Sequence, residues 1–264
     1  MATVSEMIEL VWWPPREEPG VRRPEIDRKL PENFKHYGNW GFTIYRTYYS
    51  PESDEHWHML LDALKRQTYL ALEFLDNEDE YRHDVERRKW GTNLYENKDE
   101  YVDDLKRLKK LFHLDPREDL PLLNGLDVHQ LREVCLSEHP EAEKTMAGGR
   151  FRFVLVADKS VLEDIAKGEF IVKMVAYGWR EGGENWDWMR IPTGYLLELW
   201  HSLMMSRFDP HRILWFEGPE EDLEEYIWPG EDAASPTSCC SEIRPGLIHY
   251  SAQRRMFKIE RNEE

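Results

Sequence analysis

Residues 40–75 read WGFTIYRTYYSPESDEHWHMLLDALKRQTYLALEFL, and this stretch decides the fold. Phe42, Ile44, Arg46 and Tyr48 alternate with Thr43, Tyr45, Thr47 and Tyr49, the period of two expected of a strand. Ser50 then offers a helix cap and Pro51 a first helical position, with Glu52, Asp54 and Glu55 suiting the positive end of the helix. Trp57, Leu60, Leu61, Leu64, Ala71, Leu72 and Leu75 recur at helical spacing on one face. The stretch therefore predicts one strand, one turn and one long amphipathic helix.

Working outward, residues 1–39 carry prolines at 14, 15, 19, 24 and 31 and predict an extended arm, pinned to the body by Ile8, Leu10, Trp12 and Trp13. Its removal through residue 30 is expected to leave a folded protein. Beyond Leu75, residues 77–149 read as a helical insertion. It holds a charged stretch, a helix over 98–114 using Tyr101, Val102, Leu105, Leu108 and Phe112, and a shorter helix from Asp127. Asp115-Pro116 is the expected stop of the first of these helices.

A second unit follows. Phe151, Phe153, Leu155 and Ala157 alternate with Arg152, Val154 and Val156; Asp158 caps a short helix that ends at Gly168; a further strand runs from Glu169 to Trp179. A Gly- and Trp-rich loop at 182–188 leads into a helix over 193–208. An edge strand is expected at 212–216 and a short strand at 256–259, the second within an acidic and then irregular tail, 217–264.

The order predicts an α+β fold: a ferredoxin-like antiparallel sheet layered with helices over residues 40–216, with the insertion at 77–149. A doubly wound α/β sheet is the alternative. With Phe42 and Ile44 facing the helices, the other face carries Thr43, Tyr45, Thr47, Arg152, Val154, Lys173, Val175 and Tyr177. Tyrosines and cations on an open sheet resemble an RNA-stacking platform. A net charge of −17 opposes that, so this face is expected to be covered by the tail, the insertion or a second subunit.

The same charge argues against nucleic acid and anionic membranes as partners. No transmembrane-length apolar run is found. MATVSEMIELVWWPP has neither the basic region nor the apolar run of a signal peptide. The cytoplasm is the expected location, with the nucleus as the alternative. Cys135 and the pair Cys239-Cys240 make neither a disulfide framework nor a metal knuckle.

Candidate site residues are few. Arg46 and Tyr48 sit near the end of the first strand. An arginine there either clamps an anionic ligand, or pairs with a carboxylate, or snorkels at the sheet margin. His56 and His58 stand two apart on the predicted helix, about 200° around its axis, so they are not expected to share an ion. His56 stays a candidate for the rim of an apolar cavity. Trp179, Trp186 and Trp188 surround the Gly-rich loop and either stack on a flat or sugar-like ligand or anchor that loop to the core. No metal and no cofactor is expected. No Walker loop, G-x-G-x-x-G, G-x-S-x-G or H-E-x-x-H occurs.

Three phrases, GFTIYRTYY at 41–49, RFRFVLVADKSVL at 150–162 and WMRIPTGYLLELW at 188–200, resemble a family of uncharacterised proteins of filamentous fungi. The resemblance implies a fungal source and a shared architecture over about residues 40–216. It brings no activity and no catalytic residues. The expected function is a non-catalytic module that binds a protein or small-molecule ligand. The alternative is a small cofactor-independent lyase, isomerase or cyclase acting on a hydrophobic metabolite.

Overall fold

The structure, a computed structural model, describes residues 3–13, 26–74, 95, 97–138, 152–179, 187–205, 216 and 220–228. Its centre is a five-stranded mixed sheet in the order β2-β1-β3-β4-β5. The strands are β1 (Trp40–Arg46), β2 (Phe112–Arg117), β3 (Phe153–Ala157), β4 (Ile171–Ala176) and β5 (Trp188–Pro192). β1 lies between β2 and β3 and is parallel to both; β4 is antiparallel to its neighbours β3 and β5.

The α+β expectation holds, but the sheet is not the antiparallel ferredoxin-like one. The strand order is that of a doubly wound sheet with one strand, β4, reversed. The difference comes from β2. The segment read as a purely helical insertion contains a strand, and the Asp115-Pro116 expected to stop a helix lies inside it. The helix before it, α3 (Lys98–Leu111), ends one residue short of Phe112. Pro116 is tolerated because β2 is an edge strand, where the missing N–H need not serve a second neighbour.

The registers assign the faces. Ile44, Leu155, Met174 and Met189 line one; Tyr45, Val156, Lys173 and Arg190 line the other. The first face lies under α2 (Ser53–Phe74) and α7 (Leu196–Met205), with Trp40 meeting Trp200 at 5.5 Å between ring centroids. Here α2 starts three residues later than Ser50. Ser50 N–H donates to Ser53 Oγ at 2.7 Å and the Ser53 hydroxyl donates to the Ser50 carbonyl at 2.8 Å, holding Pro51 in a turn. The short α6 (Lys159–Ala166) is as expected: Asp158 caps it by accepting from Val161 N–H, and Gly168 closes it at φ +82°.

The second face is covered, as charge predicted. Tyr45 is 1% exposed and Tyr177 3%, so neither ring is open for a base to stack on. Among the described residues, two segments of the same chain take part in the covering. The helix α5 (Val128–Glu138) receives the Tyr45 hydroxyl on Glu138 at 2.9 Å, and residues 220–228 meet Lys173 and Arg190.

The N-terminal arm needs correcting too. Residues 4–11 form a helix, α1 (Val4–Val11), ahead of all the prolines. Thr3 and Glu6 make a reciprocal capping box, and Val4, Met7, Ile8 and Val11 are buried against the body. Arg28 reaches Glu9 of α1 at 3.1 Å and Asp104 of α3 at 3.5 Å. Short α4 (Leu120–Leu123) follows β2. In place of the helix expected over 193–208 stand a 3-10 turn at Thr193–Tyr195 and α7, and residues 206–208 lie outside the described residues. β5 lies where a loop leading to that helix was expected. The edge strand expected at 212–216 falls outside the described residues except for buried Phe216; Cys239-Cys240 and 256–259 fall outside them altogether.

Candidate functional site

Arg46 is the last residue of β1, and α2 begins seven residues on, so its guanidinium stands at the carboxyl ends of the parallel strands. In doubly wound sheets that end, where the order turns back between β1 and β3, is where ligands bind. The side chain is 3% exposed and held on every side. Nε donates to the Tyr48 carbonyl at 3.0 Å; one terminal nitrogen donates to Ser53 Oγ at 2.7 Å and to Asp54; the other lies 3.5 Å from Glu118. Its guanidinium carbon sits 4.6 Å from the Tyr49 ring centroid and 6.0 Å from that of Trp57.

A buried arginine was expected to need a carboxylate. It has two, and both turn outward: Asp54 is 69% exposed and Glu118 40%. Around them, burial raises the Tyr49 hydroxyl above its ordinary range, Arg46 opposes this, and Glu118 and Asp119 add to it. The Tyr49 hydroxyl and the Trp57 indole nitrogen are buried without a hydrogen-bond partner among the described residues. Tyr48 and His56 are half-buried at this same end.

Replacing Arg46 by lysine is expected to cost about 2–4 kcal/mol, because one ammonium cannot span Tyr48, Ser53, Asp54 and Glu118. Asp54→Asn is expected to cost far less, since Asp54 is mostly in water. Urea midpoints measure both; equal shifts would contradict the account.

The tryptophan candidates lie at the other end of the sheet. Trp188 opens β5 opposite Val175, buried under the Lys173 ammonium at 4.6 Å. Trp179 is half-buried, with the Arg132 guanidinium 5.0 Å from its ring centroid and donating to its carbonyl at 2.7 Å. Both rings thus anchor local structure. Trp186 lies outside the described residues. Arg46 meets Tyr48 through the Tyr48 carbonyl, His56 follows Asp54 in the first turn of α2, and the tryptophans do not join them.

Residues passed over in the sequence also stand out. Asp187, buried, is held by Arg132 at 2.7 Å and lies 3.3 Å from His129. Lys173 and Arg190 form a second buried ionic cluster: Lys173 reaches Asp158 at 2.6 Å and also Glu224, while Arg190 reaches Asp164 and the Glu224 carbonyl. Cations inside the apolar runs IVKMVA and WMRIP were the available signal. Among the described residues, no group of three or more His, Cys, Asp and Glu converges as metal ligands would. No described helix is long and apolar enough to cross a membrane.

Among the tyrosines that burial raises, Tyr45 and Tyr226 are shifted furthest and make stability depend on alkaline pH. Burial, with Cys135 and Glu138 adding to it, raises Tyr45 far above its ordinary value, and burial pushes Tyr226 up to about 12. Below about pH 10 both are protonated in folded and unfolded chains, and their contribution is complete. Above it the unfolded chain releases protons that the fold retains, so stability falls, for Tyr226 until about pH 12. The urea midpoint is expected to drop between about pH 10 and 12, less so in Tyr226→Phe. An equal drop in that variant would remove Tyr226 from the explanation.

No protein-family model, no curated protein and no solved structure matches the chain.

Proposed function

We propose that the protein is a non-catalytic binding module, of filamentous-fungal origin on the resemblance of its three phrases, whose ligand sits at the carboxyl ends of β1 and β3. One observation carries this reading. Arg46 is fully engaged by internal partners, so the groups turned outward around it are the carboxylates Asp54 and Glu118, beside Tyr48 and Tyr49. Carboxylates and aromatic faces both attract a cation. A peptide segment carrying Lys or Arg supplies the cation. The charge of −17 would steer it in.

The test is calorimetric titration of a Lys/Arg-rich peptide at low salt into the wild type and into Asp54→Asn/Glu118→Gln, with thermal unfolding as a control for folding. At least about tenfold weaker binding by the variant, or about 1.4 kcal/mol, is expected. Equal affinities would place the peptide elsewhere on an acidic surface. No binding to the wild type would end this reading.

A second reading, a cofactor-independent enzyme acting on a hydrophobic metabolite, is favoured by the His129–Asp187 pair beside Trp179. A buried carboxylate fixed by Arg132 can orient an exposed imidazole as a proton acceptor. Under this reading His129→Gln abolishes turnover and leaves the fold intact.

A further inference from the structure

We propose that a row of partly exposed aromatic rings, Trp12, Tyr37 and Phe34, docks an uncharged, proline-rich segment of a partner protein in the polyproline II conformation. The row precedes β1 and lies at its amino end, opposite Arg46. It does not rest on the function proposed for the carboxylates around Arg46.

Three observations carry the inference. The first is shape. Trp12 and Tyr37 pair across an antiparallel bridge, with ring centroids 4.8 Å apart and planes tilted by 54°. The Phe34 ring follows, 6.2 Å from that of Tyr37 and at 69° to it. Rings set at such angles leave notches between them. Both notches fall within roughly 9 Å, one turn of a polyproline II helix and the interval at which its residues present the same face. Phe34 is 43% exposed, and Trp12 and Tyr37 are half-buried, so all three reach solvent.

The second is rigidity. Trp13 N–H donates to the His36 carbonyl at 2.9 Å and Gly38 N–H to the Val11 carbonyl at 2.8 Å, clipping together the two segments that bear the rings. The Tyr37 hydroxyl donates to the Arg28 carbonyl at 3.4 Å and accepts from Arg107 at 3.3 Å. The Arg107 guanidinium carbon lies 4.3 Å from the Phe34 ring centroid and 4.9 Å from that of Tyr37. The rings are thus fixed before a ligand arrives. A polyproline II segment is stiff as well, so little ordering entropy opposes their meeting.

The third is polarity. The two arginines at the row are engaged internally, Arg107 by Asp104 and Arg28 by Glu9 and Asp104, so neither calls for a charged ligand. The Trp12 indole N–H has no acceptor among the described residues and, unlike that of Trp57, is not sealed from solvent. A polyproline II segment offers the converse: carbonyls with no internal donor, and no N–H at its prolines. Aromatic-lined grooves recur as the docking sites of such segments.

The experiment uses the full chain, and its probe is a decaproline peptide with blocked termini, compared by calorimetric titration with a blocked Gly/Ser peptide of equal length. Decaproline is expected to bind the wild type at least about tenfold more tightly than the Gly/Ser peptide. Its affinity should change less than about twofold between low and high salt, because no charges pair. Phe34→Ala and Trp12→Ala should each weaken binding at least about tenfold. Trp12→Phe, which keeps a ring and removes the indole N–H, should weaken it about threefold to tenfold. Thermal unfolding checks the fold of each variant, and Phe34→Ala, at the surface, carries the test if Trp12→Ala does not fold. No binding, binding equal to that of the Gly/Ser peptide, or an affinity unmoved in folded Phe34→Ala and Trp12→Phe would each overturn the proposal. Binding seen only after Pro14, Pro15, Pro19 and Pro24 are replaced by alanine would also overturn it, by making this chain's own proline-rich segment the occupant.

Discussion

Replacing Gly41 by alanine is expected to remove more than about 4 kcal/mol of stability, enough to unfold many domains of this size. Gly41 pairs with His113 across β1 and β2 at φ +130°, where an L side chain is strained. A Cβ there would lie far inside contact distance of the His113 carbonyl oxygen and 3.2 Å from the Phe112 ring. The carbonyl is backbone in the same ladder, so relief requires the two strands to part. Trp40 and Phe42 on either side are fully buried, and that separation would open the core. Gly168→Ala is the control. Its φ is +82° and an added Cβ meets nothing, so strain alone should cost about 1–2 kcal/mol. A Gly41→Ala midpoint no lower than that of Gly168→Ala would show that the strands yield easily.

Deleting residues 1–12 is expected to abolish cooperative unfolding, the reverse of what the prolines suggest. Val4, Met7, Ile8 and Val11 are each at most 1% exposed. At about 1.5–3 kcal/mol per buried side chain, α1 contributes on the order of half a typical domain's stability or more, even allowing for a compact unfolded state. Its loss also uncovers part of α3, against which it packs. A milder form of the test is Met7→Ala, expected to cost about 2–4 kcal/mol. A truncated chain melting within a few degrees of the full one would mean that α1 is an ornament on the fold.

What the sequence showed, and what it hid, follow from how the sheet is buried. β1, β3, β4 and the Asp158-capped helix were legible because long apolar runs with clear punctuation bound them. The sides were harder. All seven residues of WGFTIYR are buried, so the threonine and tyrosine side of β1 is as covered as the Phe42 side. β2 was missed because FHLDPR continues the periodicity of α3 without a break and contains a proline. β5 was missed because WMRIP is covered on both faces and its arginine is paired inside the protein. The candidate site was half legible for the same reason. Asp54, eight residues beyond Arg46, was readable as its partner; Glu118 was not, since the strand that delivers it was unseen.

The place of β1 between two strands that come later in the chain bears on how the chain is made. β1 leaves the ribosome well before either neighbour, since Trp40 registers with Phe112 and Ile44 with Leu155. Until both are synthesised, an apolar strand waits with an open edge, the template on which chains add to one another. Fragments ending before Ala157 should therefore aggregate during expression however soluble the whole chain is. A nascent chain stalled after α5 should be a client for chaperones.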